Sequence, residues 1–402
     1  MALRNLIRFG LSGLLLLAVN SSGGEAGTSG SLRDQTPAYD APYKNGLYST
    51  IAGINSVRDI RIPGLRNMHL CIPGFNCNVP VQVVMQPGEA PLAIVLVGAE
   101  GKAVDPLPKQ WIAWLSDAGY HVLALNSTLE SDFVDRSGRG VSGNLVAEAE
   151  WVRDIISAFL KSPMAQGHVT RIGVVGMSYG GVEALLLGKM AAEKKLDFQI
   201  DAIKAFSPPI DIRHSAELID RWWREDRWNY TLAELYLKVG KHKPVGPGRD
   251  IPLSDSMMRA GLAASFRVPL VDIVERNDAA YDLKLLPDAE TMDEKVRRHD
   301  FAATYGFTRF LREAVYPYWK DKSGFKDFSD LNADACLLKL LPAEAASVEV
   351  VVAEDDPLNT PEDFESLKKI KSAAKLTILN GGGHVGYIND PWTRAKLLEI
   401  FK

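Results

Sequence analysis

The residues with the clearest chemical potential lie in the G-x-S-x-G segment Gly176–Gly180. The apolar run 171–175 before it is typical of a buried parallel strand, and 181–190 after it has the character of a helix. A serine in a tight turn between a strand and a helix has its hydroxyl held clear of the sheet, as a nucleophile requires. We therefore predict that Ser178 is a nucleophile; the alternative is a glycine-rich turn with a bystander serine.

An acid follows a later apolar run. Residues 348–353 are followed by Glu354, Asp355, Asp356 and Pro357. Catalytic groups collect at the carboxyl ends of strands in an open α/β sheet. Asp356 is the preferred catalytic acid because it directly precedes the proline that turns the chain. Asp355 is the alternative acid, and a second alternative is that both are solvated loop residues.

A histidine with a suitable context comes third along the chain. His384 lies in the glycine-rich segment Asn380–Tyr387, after the apolar run 376–379. An imidazole on such a loop can contact a serine with one nitrogen and a carboxylate with the other. The remaining histidines lack this context and are interpreted as structural or solvated: His69, His121, His168, His214, His242 and His299.

Two backbone amides complete the predicted chemistry. The apolar run 93–97 leads into the turn Gly98–Gly101. In sites built around a nucleophile elbow, one oxyanion-binding amide follows the nucleophile and the other follows an early strand. This nominates the N–H groups of Tyr179 and Ala99. For Ala99 the alternative is an ordinary turn.

These motifs together resemble those of the α/β-hydrolases, from about Val79 to the C-terminus. Three details are similar to the YheT-like branch: the turn 98–101, the run 355–357 and the segment 382–387. Val97 stands where such hydrolases usually carry a histidine. The resemblance implies an α/β-hydrolase fold and a carboxylic-ester hydrolase that needs no cofactor and no metal.

The elements that must position these residues alternate between strand and helix. Such alternation predicts a mostly parallel sheet with helices on both faces. Predicted strands are 79–85, 92–97, 121–125, 171–176, 202–206, 347–353 and 376–379, predicted helices are 111–118 and 145–160, and 58–72 is a candidate for antiparallel edge strands. The predicted core is 44–210 with 342–402.

A long segment interrupts this pattern. Strand-like runs are absent from the sequence between Ser207 and Ala346, which is too long for a loop. We predict a helical cap insertion over residues 211–341. Its aromatic residues include Trp222 and Trp223, tentative substrate contacts in an apolar acyl pocket. The alternative is that they form the core of the cap itself.

The N-terminus has the pattern of a secretory signal. Arg4 and Arg8 precede the short apolar run 11–19, and a stretch rich in Gly and Ser follows. We predict a signal peptide over 1–26, a flexible linker over 27–43, and a periplasmic or secreted protein. The alternative is an uncleaved amphipathic anchor, with membrane association.

The net charge and the cysteine spacing argue against some classes of partner and of metal site. The net charge is −4, and no basic stripe is visible, which argues against nucleic acid as a partner. Cys71 and Cys77 either pair or stay free thiols, and Cys336 is predicted to be buried. No cysteine spacing suggests a zinc or iron–sulfur site.

The predicted reaction is cleavage of a small-molecule or lipid-like ester through an acyl-enzyme. The same residues also hydrolyse thioesters or amides, or transfer the acyl group, in other proteins of this fold. A different class of alternative is a non-catalytic binding protein on the same scaffold. The sequence leaves the oligomeric state open.

Overall fold

One mixed sheet organises the protein. The computed structural model describes residues 45–55, 57, 59–76, 79–231, 253–341 and 347–401. The eight strands are β1 Arg66–Leu70, β2 Val79–Val84, β3 Ala90–Leu96, β4 His121–Leu125, β5 Val169–Met177, β6 Ala202–Phe206, β7 Val348–Ala353 and β8 Lys375–Leu379. Their spatial order is β1-β2-β4-β3-β5-β6-β7-β8. Strands β3 to β8 pair in parallel, whereas β2 pairs antiparallel with both β1 and β4. This is the α/β-hydrolase arrangement.

Helices cover both faces of this sheet. The longer helices and helical turns are α1 Gly46–Asn55, α2 Pro106–Asp117, α3 Ser131–Ser137, α4 Leu145–Leu160, α5 Tyr179–Ala192, α6 Ile212–Asp226, α7 Asp255–Tyr281, α8 Met292–Ala302, α9 Phe307–Phe310, α10 Tyr316–Ser323, α11 Leu337–Leu340, α12 Pro361–Leu367 and α13 Pro391–Leu398. Helices α4 and α5 pack together on one side, and α2 packs with α13 on the other. The central strands are therefore buried on both faces, which explains their continuous apolar runs.

The strand and helix predictions are confirmed in most places. Strands β4 and β6 and helix α4 have the predicted bounds. Helix α2 begins five residues earlier than predicted, because Pro106 and the residues after it fit the first turn of a helix. Of the proposed edge strands, the described residues form one, β1.

The segment between β6 and β7 is mainly helical in its described part. It contains α6 to α11 and a π-helical turn, Leu311–Val315, that joins α9 to α10. Whether 211–341 forms a separate cap stays a prediction. The predicted signal peptide 1–26 and linker 27–43 lie outside the described residues. Within the described part of the chain, no helix is long and apolar enough to cross a membrane.

Candidate active site

Ser178 occupies a strained turn between β5 and α5. Its backbone has φ 53° and ψ −120°, a region that side chains with a Cβ rarely adopt. The Ser178 amide donates to the carbonyl of Phe206 on β6 at 2.8 Å, which holds the turn against the sheet. A Cβ on Gly176 would lie 2.1 Å from the Gly180 carbonyl oxygen, so strand and helix approach closely only because both residues are glycine.

His384 connects Ser178 to Asp356. The distance from His384 Nε2 to Ser178 Oγ is 2.8 Å, and from His384 Nδ1 to Asp356 Oδ2 it is also 2.8 Å. The side chains of His384 and Asp356 are 3% and 0% exposed. The second carboxylate oxygen, Oδ1, accepts the Leu358 amide at 2.9 Å. Asp356 is thereby fixed with one oxygen free to orient the imidazole.

Asp355 does not contact His384 through its side chain but anchors the loop that carries it. Its Oδ1 accepts the Gly383 amide at 2.8 Å. Burial raises the pKa of Asp355, while the amides of Gly383 and Gly382 act in the opposite direction. The two neighbouring acids therefore have different geometric roles.

Helix α1 supports the same loop from the N-terminal side. The Thr50 hydroxyl accepts the His384 amide at 2.8 Å and donates to the Gly46 carbonyl at 2.7 Å. A Cβ on Gly383 would lie 2.1 Å from the Gly46 oxygen. Sequence analysis missed Thr50; the glycines in α1 and in the His384 loop were the available signal of a close approach.

A second strained position lies directly after the histidine. Val385 has φ 53°, an outlier for a β-branched residue, and its amide donates to Ser207 Oγ at 3.1 Å. Ser207 itself has φ 46°, and its hydroxyl lies 2.8 Å from the Tyr387 hydroxyl. The Tyr387 hydroxyl also donates to the Val351 carbonyl at 3.1 Å, so buried hydrogen bonds hold the strained loop to β7.

The turn after β3 lies beside the serine. Gly101 donates to the Gly98 carbonyl at 3.0 Å, and Glu100 has φ 61°. A Cβ on Gly98 would lie 3.4 Å from Ser178 Cβ. Ala99 and Tyr179 line the same cavity as Ser178, and neither amide donates to an acceptor among the described residues. Two free backbone donors at this point suit a developing oxyanion.

The Tyr179 side chain belongs to a buried hydrogen-bond network that sequence analysis also missed. Its hydroxyl donates to Glu148, whose Oε2 also lies 2.8 Å from Thr128 Oγ1. Thr128 Oγ1 lies 2.7 Å from Glu183 Oε1. These four side chains are at most 3% exposed. No sequence motif marks them, because they come from α4, α5 and a loop far apart in the chain.

Hydrogen counting assigns a proton in this chain. A threonine hydroxyl has one hydrogen and can donate to only one of two carboxyl groups. Glu148 also accepts from the Gly143 amide and from Tyr179, as a carboxylate would. The hydrogen bond between Thr128 and Glu183 therefore needs a protonated Glu183. Burial raises the pKa of both glutamates, to about 8 for Glu183, while the hydrogen bonds from Tyr179 and Gly143 oppose the increase at Glu148, in agreement with this assignment.

An apolar cavity opens at Ser178. Its volume is about 60 Å³. The floor is formed by Ala99, Leu129, Gly143, Tyr179 and Leu358, and helices of the β6–β7 segment contribute Ile212, Ala216, Ile219, Phe266, Phe307, Phe310 and Leu311. The lining of the cavity is thus mostly hydrocarbon, with Ser178, Ser215 and Asn332 as its polar side chains.

The two predicted substrate contacts lie elsewhere. Trp222 is buried in the hydrophobic core, 7% exposed, and is not among the described residues that line the Ser178 cavity. Trp223 lines a different cleft, together with several arginines. Consecutive residues on α6 point in different directions, and it is Ile219 and Ala216 that face the serine.

Of the cysteines in the described part of the chain, neither lines the Ser178 cavity. Cys71 is exposed with a free thiol, and Cys77 lies outside the described residues. Cys336 is buried as predicted, and burial raises its pKa. Among the described residues, one group brings three potential metal ligands together: Asp272, Glu275 and His299, on α7 and α8 away from Ser178.

Comparisons with known proteins concern the fold. No protein-family model matches the chain, and no curated protein matches its sequence. The esterase Pf2001 of Pyrococcus furiosus is similar in structure, with 13% identity, a TM-score of 0.44 and coverage of 84% of this chain and 91% of that one. A bacterial membrane phospholipase A has 15% identity, a TM-score of 0.42 and coverage of 84% and 86%. Carboxylesterase CesB of Bacillus subtilis has 15% identity, a TM-score of 0.42 and coverage of 88% and 97%. At these identities nothing follows about the substrate of this chain.

Proposed function

We propose that this protein is a serine hydrolase that cleaves a carboxylic ester through an acyl-enzyme. The observation that carries the proposal is the hydrogen-bonded chain Ser178–His384–Asp356 next to two free amides. His384 takes the Ser178 proton as the hydroxyl attacks the ester carbonyl, and Asp356 holds the imidazole in the required tautomer. The amides of Ala99 and Tyr179 stabilise the oxyanion, the alcohol leaves with the proton from His384, and water repeats the sequence on the acyl-enzyme.

The Ser178 cavity supports a substrate with a short apolar acyl group. It is almost wholly apolar, and its volume of about 60 Å³ is well below the roughly 150 Å³ of a cavity that holds benzene. The α6, α7 and α9 side chains that close it support a role of the β6–β7 segment as a cap. A lid of this kind limits the entry of water to the acyl-enzyme.

A labelling experiment tests the nucleophile. A fluorophosphonate probe should label the wild-type protein at Ser178 and leave Ser178→Ala unlabelled, with similar thermal stability. Hydrolysis of p-nitrophenyl acetate and butyrate should fall about 10⁴-fold or more in the variant. Activity of Ser178→Ala within tenfold of wild type would remove the assignment, and labelling without turnover of any ester would favour a binding protein.

Export is proposed from residues 1–26, with a periplasmic or secreted mature protein. The support is the charged start, the short leucine-rich run and the small residues after it. N-terminal sequencing of the natively expressed protein checks this. A mature chain that still carries Leu14–Leu17 would show an anchor instead.

A further inference from the structure

A second cleft adjoins the wall of the Ser178 cavity. Its volume is about 580 Å³, and residues of helices α6, α7, α8 and α9 line it. Its ionisable residues are Asp220, Arg224, Arg227, Arg267, Asp300, Arg309, Arg312 and Glu313, and Trp223 forms an aromatic wall. Five arginines facing three acids leave an excess of two positive charges. The ester-cleaving site proposed above uses none of these residues.

Two of the three acids are already neutralised. Asp220 Oδ1 accepts from Arg267 Nη1 at 2.9 Å and from the Phe307 amide at 3.0 Å, and its Oδ2 accepts the Thr308 amide at 2.8 Å. Glu313 pairs with Arg309 at 2.9 Å. The carboxylates of the cleft are therefore committed to fixed partners, with the exception of Asp300.

Three arginines are left over. Arg224, Arg227 and Arg312 form no ion pair with any acid in the described part of the chain. Isolated surface arginines are usually solvated and need no ligand. These three exposed arginines instead line one concave site together with the buried Arg267. Arg227 also lies over the Trp228 ring at 4.8 Å, and Arg312 lies over the Phe328 ring at 4.9 Å.

The floor of the cleft is short of negative charge. Arg267 is 8% exposed, and its Nε and the Thr308 Oγ1 are buried without a hydrogen-bond partner among the described residues. Burial lowers the pKa of Arg267 and Asp220 opposes this, but the positive charge of Arg227 lowers it further. An anion in the cleft would relieve the repulsion between Arg227 and Arg267.

We propose that this cleft binds a phosphate group carried by a larger molecule. Guanidinium groups match the oxygens of phosphate in paired hydrogen bonds, which favours an oxyanion over a halide or a carbonyl. The cleft is far larger than one phosphate, so the rest of the ligand lies against Trp223 and the rim. A lipid headgroup and a soluble organic phosphate both present this chemistry.

The cleft and the serine cavity share their walls. Ile219, Phe266 and Phe307 face the cavity, and the next residue in each case, Asp220, Arg267 and Thr308, faces the cleft. A ligand that holds Arg267 and its neighbours therefore also steadies the helices that close the cavity at Ser178.

Binding measurements on the full chain carrying Ser178→Ala test the proposal, since this background cannot turn over a lipid. Calorimetry with glycerol 3-phosphate and sedimentation with vesicles of phosphatidic acid, against phosphatidylcholine, distinguish the two sources. Arg224→Gln, Arg227→Gln and Arg312→Gln should each weaken binding about tenfold. Arg221→Gln is the matched control, because Arg221 is exposed on α6, the helix that carries Arg224, and lies outside the cleft.

Binding of the soluble phosphate supports a soluble ligand, and binding restricted to phosphatidic acid vesicles supports a headgroup. Binding of neither overturns the proposal. Binding that weakens equally in Arg221→Gln and in the cleft variants also overturns it, since that pattern reports only net charge. Because Ser178 is absent throughout, the outcome is independent of ester hydrolysis.

Discussion

At the scale of single residues, two adjacent acids perform different tasks. Asp356 contacts the imidazole, while Asp355 holds the backbone of the loop that carries the imidazole. Both follow β7, and the loop after β8 contacts both of them. A shift of one residue along the chain therefore decides whether the carboxylate contacts the imidazole side chain or a backbone amide.

The two acids should respond differently to removal of their charge. Asp356→Asn should lower kcat for ester hydrolysis by about 10⁴-fold, because an amide favours the wrong imidazole tautomer. Asp355→Asn should stay within about tenfold, since the Asn carbonyl oxygen can still accept the Gly383 amide. Steady-state kinetics of both variants decide it. A larger loss in Asp355→Asn would exchange their roles.

The residues of the candidate triad could be predicted from the sequence, but the residues that support them could not. Ser178, His384 and the acid each lie in a short sequence motif, so the residues next to them in the sequence identify them. Thr50, Glu148 and Glu183 meet the site only after the chain has folded, at separations of up to 334 residues. Trp222 shows the opposite case: an aromatic cluster is visible in the sequence, but the rotation of the helix decides which member faces the cavity.

At the scale of elements, helix α1 contributes to the candidate active site although it precedes the sheet in the chain. Thr50→Val keeps the shape of the side chain and removes the acceptor of the His384 amide. We expect kcat to fall about tenfold with little change in KM, because a buried unpaired amide loosens the loop by roughly 1–3 kcal/mol. Ester kinetics measure this. Thr291→Val, which removes the acceptor of the Glu294 amide at the exposed start of α8, is a control that should leave kcat unchanged.

The proton on Glu183 links α5 to Thr128, which in turn donates to Glu148 on α4. The native carboxyl titrates at about pH 8 and an unfolded one near its ordinary value of 4.5. Between these values the native state binds one more proton, so stability is full below about pH 4.5 and falls as pH rises towards 8. The slope for one group is about 1.4 kcal/mol per pH unit.

Glu183→Gln should remove most of this slope, because an amide is neutral at every pH and still donates to Thr128. The thermal midpoint of the wild type should fall more steeply between pH 5 and 9 than that of the variant. Thermal melts in matched ionic strength measure this. Identical slopes would show that Glu183 is ionised in the native state.

At the scale of the whole molecule, the β6–β7 segment supplies the outer wall of the serine cavity. Phe266→Ala enlarges that cavity from a half-buried position on α7. Relative to acetyl esters, kcat/KM for hexanoyl esters should rise, within the roughly 1–3 kcal/mol that one pocket side chain contributes to discrimination. A p-nitrophenyl ester series measures the ratio.

Trp222→Ala is the matched control for this change. Trp222 is buried in the core outside the cavity, so its loss should lower thermal stability and affect every ester equally. A shift of acyl preference in Trp222→Ala, or none in Phe266→Ala, would mean that the segment does not select the acyl group.

The hydrogen-bonded chain behind Tyr179 also has a calorimetric consequence. At pH 7 the native protein holds a proton on Glu183 that the unfolded chain releases, so the wild type should transfer about one proton more to the buffer on unfolding than Glu183→Gln does. The difference in unfolding enthalpy between the wild type and Glu183→Gln should then change between phosphate and Tris by about the difference in the ionisation enthalpies of the two buffers. Calorimetry in two buffers thus detects a proton whose position diffraction at ordinary resolution does not show.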